Sequence, residues 1–328
     1  MPQILGKEVG PIGYGLMGFT WRPTPVPEEQ AFAAMKASLA VGCNFWNAGE
    51  FYGTPEYNSL HLLNRYFTKY PEDAPKVVLS IKGGLKGRAL DGSPENIKNS
   101  IENCLRILDG AKSIDIFECA RVDPNTPIEI TLKALKEHVE IGNIGGIGLS
   151  EVSAATIRRA VKVTNIVAVE AELSLWSLDI LSNGVTQACA EFHIPVVGYS
   201  PIGHGMLTGQ IKSPDDIPEG DFRRTMPRFS KENFETNLEL VRQVQELAKN
   251  KDCTPAQLAI AWVKHLSKKD GNPEIFPLPG ATTVAQVEEN GEEVGLSVSD
   301  IEAIDKILQG FEVRGDRYDD HQMKLING

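Results

Sequence analysis

Short aliphatic or β-branched runs alternate with longer amphipathic stretches along the whole chain, the pattern of repeated βα units around a parallel sheet. Eight runs read as strands: "GPIGYGL", "CNFWNA", "KVVLSIK", "SIDIFECA", "GGIGLS", "IVAVEAEL", "PVVGYSP" and "EIFPLPG". Between them "PEEQAFAAMKASLAVG", "SPENIKNSIENCLRIL", "PIEITLKALKEHVEIG", "SAATIRRAVKVT" and "TPAQLAIAWVKHLSK" read as helices. Several open on Ser or Thr followed by Pro and acids, and two run into a Gly, as helix caps require. Leu132, Leu135 and Val139 repeat at three- and four-residue spacing, so one apolar stripe of that helix faces the sheet.

Eight βα units imply a closed, eight-stranded parallel (β/α)8 barrel, because the last strand can pair with the first and leave no edge. A chain of 328 residues fits such a barrel as a single domain spanning residues 1–328. Function then belongs at the C-terminal mouth. The stretch from about 203 to 235, with three prolines and three glycines in "HGMLTGQIKSPDDIPEGDFRRTMPRFSKENF", is expected to be a long functional loop. The polar tail, 311–328, is expected to lie over one barrel face or to be partly disordered.

Composition narrows the function. Hydrophobic residues make up 41% and charged residues 23%, with no apolar run long enough for a membrane span, so a soluble protein is expected. The start, "MPQILGKEVG", lacks a secretory signal, and five scattered cysteines suggest reduced thiols in the cytoplasm. A net charge of −11 argues against a nucleic-acid partner. The six histidines have no ligand spacing, so no metal site is expected. Cys119 near the mouth reads as a buried structural thiol more readily than a reactive one.

"GYGLMG" fits a dinucleotide fingerprint at Gly13, Gly15 and Gly18, but the prolines of "FTWRPTPVP" forbid the helix that such a fingerprint needs. More informative is "NFWNAGEFYGTP", which places Asn47 and Tyr52 at the end of the second strand while Lys82 ends the third. A phenol beside an ammonium is a candidate general acid. The positive charge is expected to lower the tyrosine pKa and ease proton delivery. On spacing alone, a packed Tyr52 and a solvated Lys82 fit equally well.

At this point the chain resembles the aldo-keto reductases, in particular the longer members that include potassium-channel β subunits. "FWNAGEFYG", "LSIKGG", "IDIFECARVDPNTP", "GIGLSEVS", "GYSPIGHGMLTG" and "PLPGATTVAQVEEN" carry the likeness, in order and at barrel spacing. The resemblance implies an NADPH-dependent carbonyl reductase with Tyr52 as general acid and Lys82 tuning it. Ser150 would hold the nicotinamide carboxamide and Tyr199 would stack on the ring. Ser200, Pro201, Gly203, Gly205 and Leu207 would run along the pyrophosphate, and Gly280, Thr282, Thr283, Gln286, Glu289 and Asn290 would meet the adenosine. With no Lys or Arg from Gly280 to Asn290, choice of NADP over NAD would rest on Thr282, Thr283 and Gln286 or on Arg223, Arg224 and Arg228.

The chain departs from the family pattern at four places. Asn47 replaces the Asp that pairs with the lysine, so Lys82 lacks that partner unless another acid substitutes. Ala120 replaces the usual His or Asn. Glu151 and Glu170 replace an Asn and a Gln expected on the carboxamide, and an ionised Glu cannot donate to its oxygen. Such a site suits a small aldehyde with its own acidic group beside the carbonyl, as pyridoxal has in its 3-hydroxyl. The chain looks like the family members that reduce pyridoxal to pyridoxine. Alternatives are reduction of other small aldehydes, a cofactor-binding regulatory subunit, or a barrel using Lys82 as a Schiff base. Oligomeric state is not legible.

Overall fold

The computed structural model describes residues 2–87 and 89–328. Its centre is a ring of parallel strands: β1 (Tyr14–Gly15), β2 (Phe45–Gly49), β3 (Val78–Gly83), β4 (Ile114–Cys119), β5 (Ile144–Ser150), β6 (Ile166–Glu172), β7 (Val196–Tyr199) and β8 (Ile275–Leu278). Each lies beside its neighbour in chain order. The ring closes where Gly13 and Gly15 donate to the carbonyls of Pro277 and Pro279, both at 2.9 Å, and Gly15 bridges Gly280. The eight-stranded (β/α)8 barrel expected from the sequence is the fold. The first strand is much shorter than "GPIGYGL" suggests. Pro11 lacks an N–H, and so do Pro277 and Pro279 across the seam, so few ladder bonds are available there.

Helices α1 (Glu28–Ala40), α2 (Ser59–Lys69), α3 (Pro94–Leu108), α4 (Ile128–Glu140), α5 (Ala154–Ala160) and α6 (Val185–Glu191) follow the first six strands. Their starts are chemically marked: Ser93 accepts from the Asn96 N–H with Pro94 in the first turn, and Ser153 accepts from Thr156. The chain leaves α1 and α4 through Gly42 and Gly142, at φ +82° and +80°. On α4, Leu132 and Leu135 are buried, and Val139 packs at the margin of the same core. After β7 the chain makes short 3-10 turns and then enters α7 (Lys231–Asn250) and α8 (Pro255–His265); β8 is followed by α9 (Val284–Gly291) and α10 (Val298–Gly310). The expected loop therefore ends at Ser230, and residues 231–235 belong to α7.

The barrel interior has two chemically distinct layers. Phe45, Val78, Ile116, Ala168, Val197 and Phe276 fill the lower part, where Ile4 and Val9 of the N-terminal hairpin (Gln3–Ile4 with Lys7–Glu8) join them. Strand side chains alternate with period two, so the next inward positions are Asn47, Ser80, Glu118, Glu170 and Tyr199. Sequence spacing thus converts an apolar floor into a polar ring at the mouth.

The tail is pinned at that mouth rather than loose. Arg317, only 4% exposed, donates from Nη2 to Glu151 Oε2 at 2.7 Å, and from Nη1 to Glu151 Oε1 at 3.2 Å and Glu172 Oε2 at 3.3 Å. Tyr318 shares a 2.9 Å hydrogen bond with the Tyr199 hydroxyl. Burial raises the Glu151 and Glu172 pKa values, but their partners override it: Arg317 holds Glu151 below the usual carboxylate range, and contacts with His204 and Arg317 take Glu172 down to about 2. These folded-state values lie below an unfolded value of about 4.3, so the stabilisation is present above that pH and is lost as pH falls through the folded values. Arg317→Ala removes the cation that two buried carboxylates share and is expected to cost about 3–5 kcal/mol in urea unfolding at neutral pH. The deficit should shrink on acidification; an equal deficit at acid pH would mean that lost packing, not lost charge, destabilises the variant.

Candidate active site

Lys82, the penultimate residue of β3, is in register with Gly49 on one side and Glu118 on the other. A buried ammonium needs a counter-charge, and it comes from across the barrel: Lys82 Nζ bonds Glu170 Oε1 of β6 and lies 3.6 Å from Glu118 Oε1 of β4. Asn47 Nδ2 donates to both acids, at 2.7 Å to Glu170 Oε2 and 3.2 Å to Glu118 Oε1. The missing partner anticipated for Lys82 is therefore supplied by Glu170, whose carboxylate is used inside this cluster. Burial and the negative Glu170 drive the Glu118 pKa well up, so Glu118 holds its proton. Burial disfavours the Lys82 ammonium, yet Glu170, Tyr52 and Glu118 together raise its pKa and keep it charged.

Tyr52 follows β2 by three residues and is 7% exposed. Its ring folds back over Gly49, where an added Cβ would lie 3.0 Å from the Tyr52 ring atoms. Its own carbonyl is held by the Thr20 hydroxyl at 2.5 Å and the Ser59 N–H at 3.0 Å. The next residue, Gly53, has φ +127°, and a Cβ there would meet the Tyr57 carbonyl at 2.4 Å. The turn that aims the phenol therefore requires that glycine. The expected lowering of the Tyr52 pKa is overturned. Burial raises it, and Glu170 and Glu118 add to the rise, while Lys82 and Arg121 offset only part. The phenol stays protonated at neutral pH.

Ser150 also points into the mouth, in register with Glu170, and its Oγ is buried with no hydrogen-bond partner among the described residues. Such a group wants a partner that the protein does not supply. The Tyr199 ring lies 5.5 Å from Lys82 Nζ, and its hydroxyl donates to Glu151 Oε1 at 2.8 Å. Glu151 is thus committed to Arg317, Tyr199 and the Glu172 N–H. Asn47, Lys82, Ser150, Glu151, Glu170 and Tyr199 converge on one end of the barrel, with Tyr52 above them.

The other predicted residues form two flanking segments. Ser200, Pro201, Gly203, Gly205 and Leu207 occupy the tight turn after β7, where Ser200, Gly203, His204 and Gly205 all have positive φ. Leu207 itself is a core side chain. Gly280, Thr282, Thr283, Gln286, Glu289 and Asn290 lie where β8 enters α9. Thr283 caps that helix, Gln286 accepts from the Thr282 N–H at 2.9 Å, and Asn290 donates to the Gly280 carbonyl at 3.4 Å. Of the loop arginines, Arg223 is paired with Asp221, Arg224 donates to the Ile217 carbonyl, and Arg228 is buried against Trp176 and Ser177.

Sequence reading passed over Glu118, Arg121, Arg317 and Tyr318. Glu118 did leave a signal, an acid inside the apolar run "SIDIFECA". Arg121 donates to the Ala120 carbonyl at 2.6 Å, lies 5.9 Å from the Tyr318 ring, and has no carboxylate within ion-pair distance among the described residues. The Cys119 thiol is pushed up to about 12 by burial, which makes it unreactive. No cluster of three or more metal-binding side chains occurs among the described residues.

The family model described as "Aldo/keto reductase family" matches residues 11–309. The chain belongs to the aldo/keto reductase family. It is 43% identical over 327 residues to "Probable pyridoxal reductase 2" of Schizosaccharomyces pombe, covering 97% of each chain. It is 38% identical to the NADP(+)-labelled aldo-keto reductase yakc of the same organism, covering 96% of this chain and 93% of that one. Among solved structures, the glycerol dehydrogenase AKR11B4 from Gluconobacter oxydans superposes with a TM-score of 0.81 at 22% identity and covers 96% of each chain, a likeness of fold. No described helix of this family member is long and apolar enough to cross a membrane. Gly49→Ala is expected to push the Tyr52 ring off its seat with little effect on folding, cutting carbonyl reduction by about 10- to 100-fold, the scale of a 1 Å misplacement; a rate matching the parent would mean that the ring moves without consequence.

Proposed function

We propose that the protein reduces an aldehyde to an alcohol with NADPH, and that the aldehyde is pyridoxal. The observation that carries the reading is a buried phenol whose ring folds over Gly49, the residue in register with Lys82, so that phenol and ammonium share the mouth. The orphaned Ser150 hydroxyl fits a carboxamide, so the residues present suit a nicotinamide. Bound NADPH would supply the hydride for the carbonyl carbon. Tyr52 gives its proton to the carbonyl oxygen, and Lys82 stabilises the phenolate that remains. Ser150 and the face of Tyr199 would orient the nicotinamide, and the segments 200–207 and 280–290 would hold the rest of the dinucleotide. NADP as the preferred form is supported by the label of one relative and is part of the proposal.

Pyridoxal as substrate is supported by the name of another relative and by two features of the mouth. Trp21, 41% exposed, lies 5.5 Å from Tyr52 and 6.1 Å from Phe222, tilted 34° to each, and so offers a flat aromatic wall. Arg121 is a cation with no carboxylate within ion-pair distance among the described residues and would suit an acidic group such as the 3-hydroxyl. A general aldehyde needs neither.

NADPH absorbance followed with pyridoxal and with 4-nitrobenzaldehyde tests the reading. The parent should oxidise NADPH with pyridoxal, and Tyr52→Phe should be slower by about 10²- to 10⁴-fold. No oxidation with either aldehyde by the parent would remove the enzyme, and a full rate in Tyr52→Phe would remove the general acid. Reduction needs the protonated phenol, so its rate should hold through neutral pH and fall only as pH rises through the elevated Tyr52 value. Arg121→Ala should raise KM for pyridoxal by about 10- to 100-fold, the scale of one hydrogen bond to a charged group, and leave KM for 4-nitrobenzaldehyde nearly unchanged. Equal losses on both aldehydes would show that Arg121 does not read the acidic group.

A further inference from the structure

The mouth holds three side chains that can face Lys82 with oxygen or amide groups: Asn47 from β2, Glu118 from β4 and Glu170 from β6. The one in direct contact is Glu170, carried by a strand three places away around the ring. Asn47 sits between the two acids and its amide hydrogens satisfy one oxygen of each. A carboxylate at position 47 would bring a third acid to 2.7 and 3.2 Å from the other two, with no hydrogen of its own to offer when ionised.

We infer that Glu170 is the positioning residue of the proton-donating pair: it fixes Lys82 at the mouth and sets how much of the ammonium charge Tyr52 feels, and residue 47 must therefore be a neutral donor. One amide and one charged carboxylate are needed across positions 47 and 170, and this chain places the charge at 170. With Glu170 in place, the ammonium is largely compensated and the phenol keeps its proton until the carbonyl oxygen gains charge. Without it, Lys82 would favour the phenolate before any substrate arrives. Glu118, already protonated beside Glu170, cannot replace it without losing that proton.

The inference rests on Tyr52 as the proton donor, so its test is read both with and without turnover. Glu170→Gln, Asn47→Asp and the double variant Asn47→Asp/Glu170→Gln are prepared in the full chain, and each again with Tyr52→Phe. Ultraviolet difference titration of tyrosinate, subtracting the Tyr52→Phe partner, follows Tyr52 alone in protein without cofactor or aldehyde. Glu170→Gln should move that titration to lower pH, Asn47→Asp to higher pH, and the double variant should return it close to the parent. Each single variant should also reduce pyridoxal about 10- to 100-fold more slowly, the scale set by losing or adding one charged contact. The double variant should recover to within about threefold of the parent, because one acid and one amide again face Lys82.

A Tyr52 titration unmoved by Glu170→Gln would overturn the inference, and so would a double variant as slow as the slower single. If Glu170→Gln does not fold alone, the double variant decides the matter by its own rate and titration. A parent that reduces no aldehyde would remove the proposed function, while the titration would still settle the positioning role.

Discussion

The constraint on which the mouth depends is the burial of one ammonium. Removing Lys82 from water is unfavourable unless a carboxylate meets it and that carboxylate is itself hydrogen-bonded. The contact with Glu170 meets the first condition, and the Asn47 amide meets the second. The remaining features of the ring follow from it. Burial and the neighbouring Glu170 push the Glu118 carboxyl well above the usual range, and burial, helped by Glu170 and Glu118, keeps the Tyr52 phenol protonated against the pull of Lys82. Only a closed barrel lets β3 and β6 meet in this way, since each strand sends alternate side chains to a common axis.

A second charged layer lies around the rim and is organised by the opposite sign. Glu151 and Glu172, from the ends of β5 and β6, are acids without a lysine in the ring, and Arg317 from the tail compensates both. The hydroxyls of Tyr199 and Tyr318 join this layer to the mouth below it. The left-handed conformations of Glu151, Ser200 and His204 occur at the turns that carry these contacts, as expected of backbone held by its surroundings rather than by local preference.

The fold was legible because its signals are local. Alternating apolar runs and helical stripes mark the units, Ser-Pro and Thr-Pro mark helix starts, and eight units close a ring. Tyr52 and Lys82 were legible as strand-end residues for the same reason. The partner of Lys82 was not, because Glu170 and Lys82 are 88 positions apart and only register around the barrel brings them together. The sign of the Tyr52 shift failed for a related reason: adjacency to Lys82 can be read from strand order, whereas burial and two nearby acids cannot. Arg317 left no signal at all. It stands in a polar, charged tail where nothing local distinguishes a pinned residue from a solvated one.

The charge balance at the mouth also bears on which carbonyl suits it. In the proposed reduction, a compensated Lys82 and a raised Tyr52 pKa would make the phenol a reluctant donor, so the proton would move readily only as the carbonyl oxygen became basic. Ala120 offers no side-chain hydrogen bond to help that oxygen, and the neighbouring Arg121 donates to the Ala120 carbonyl. A substrate bringing an acidic group to Arg121, as proposed, would be oriented by the part of the molecule that does not react, and this binding energy would compensate for the missing donor. A simple aldehyde has no such handle and meets only the reluctant acid. In the proposed reaction, the electrostatics that hold Lys82 in place would therefore shift the burden of orientation from the protein's side chains to the substrate's own functional groups.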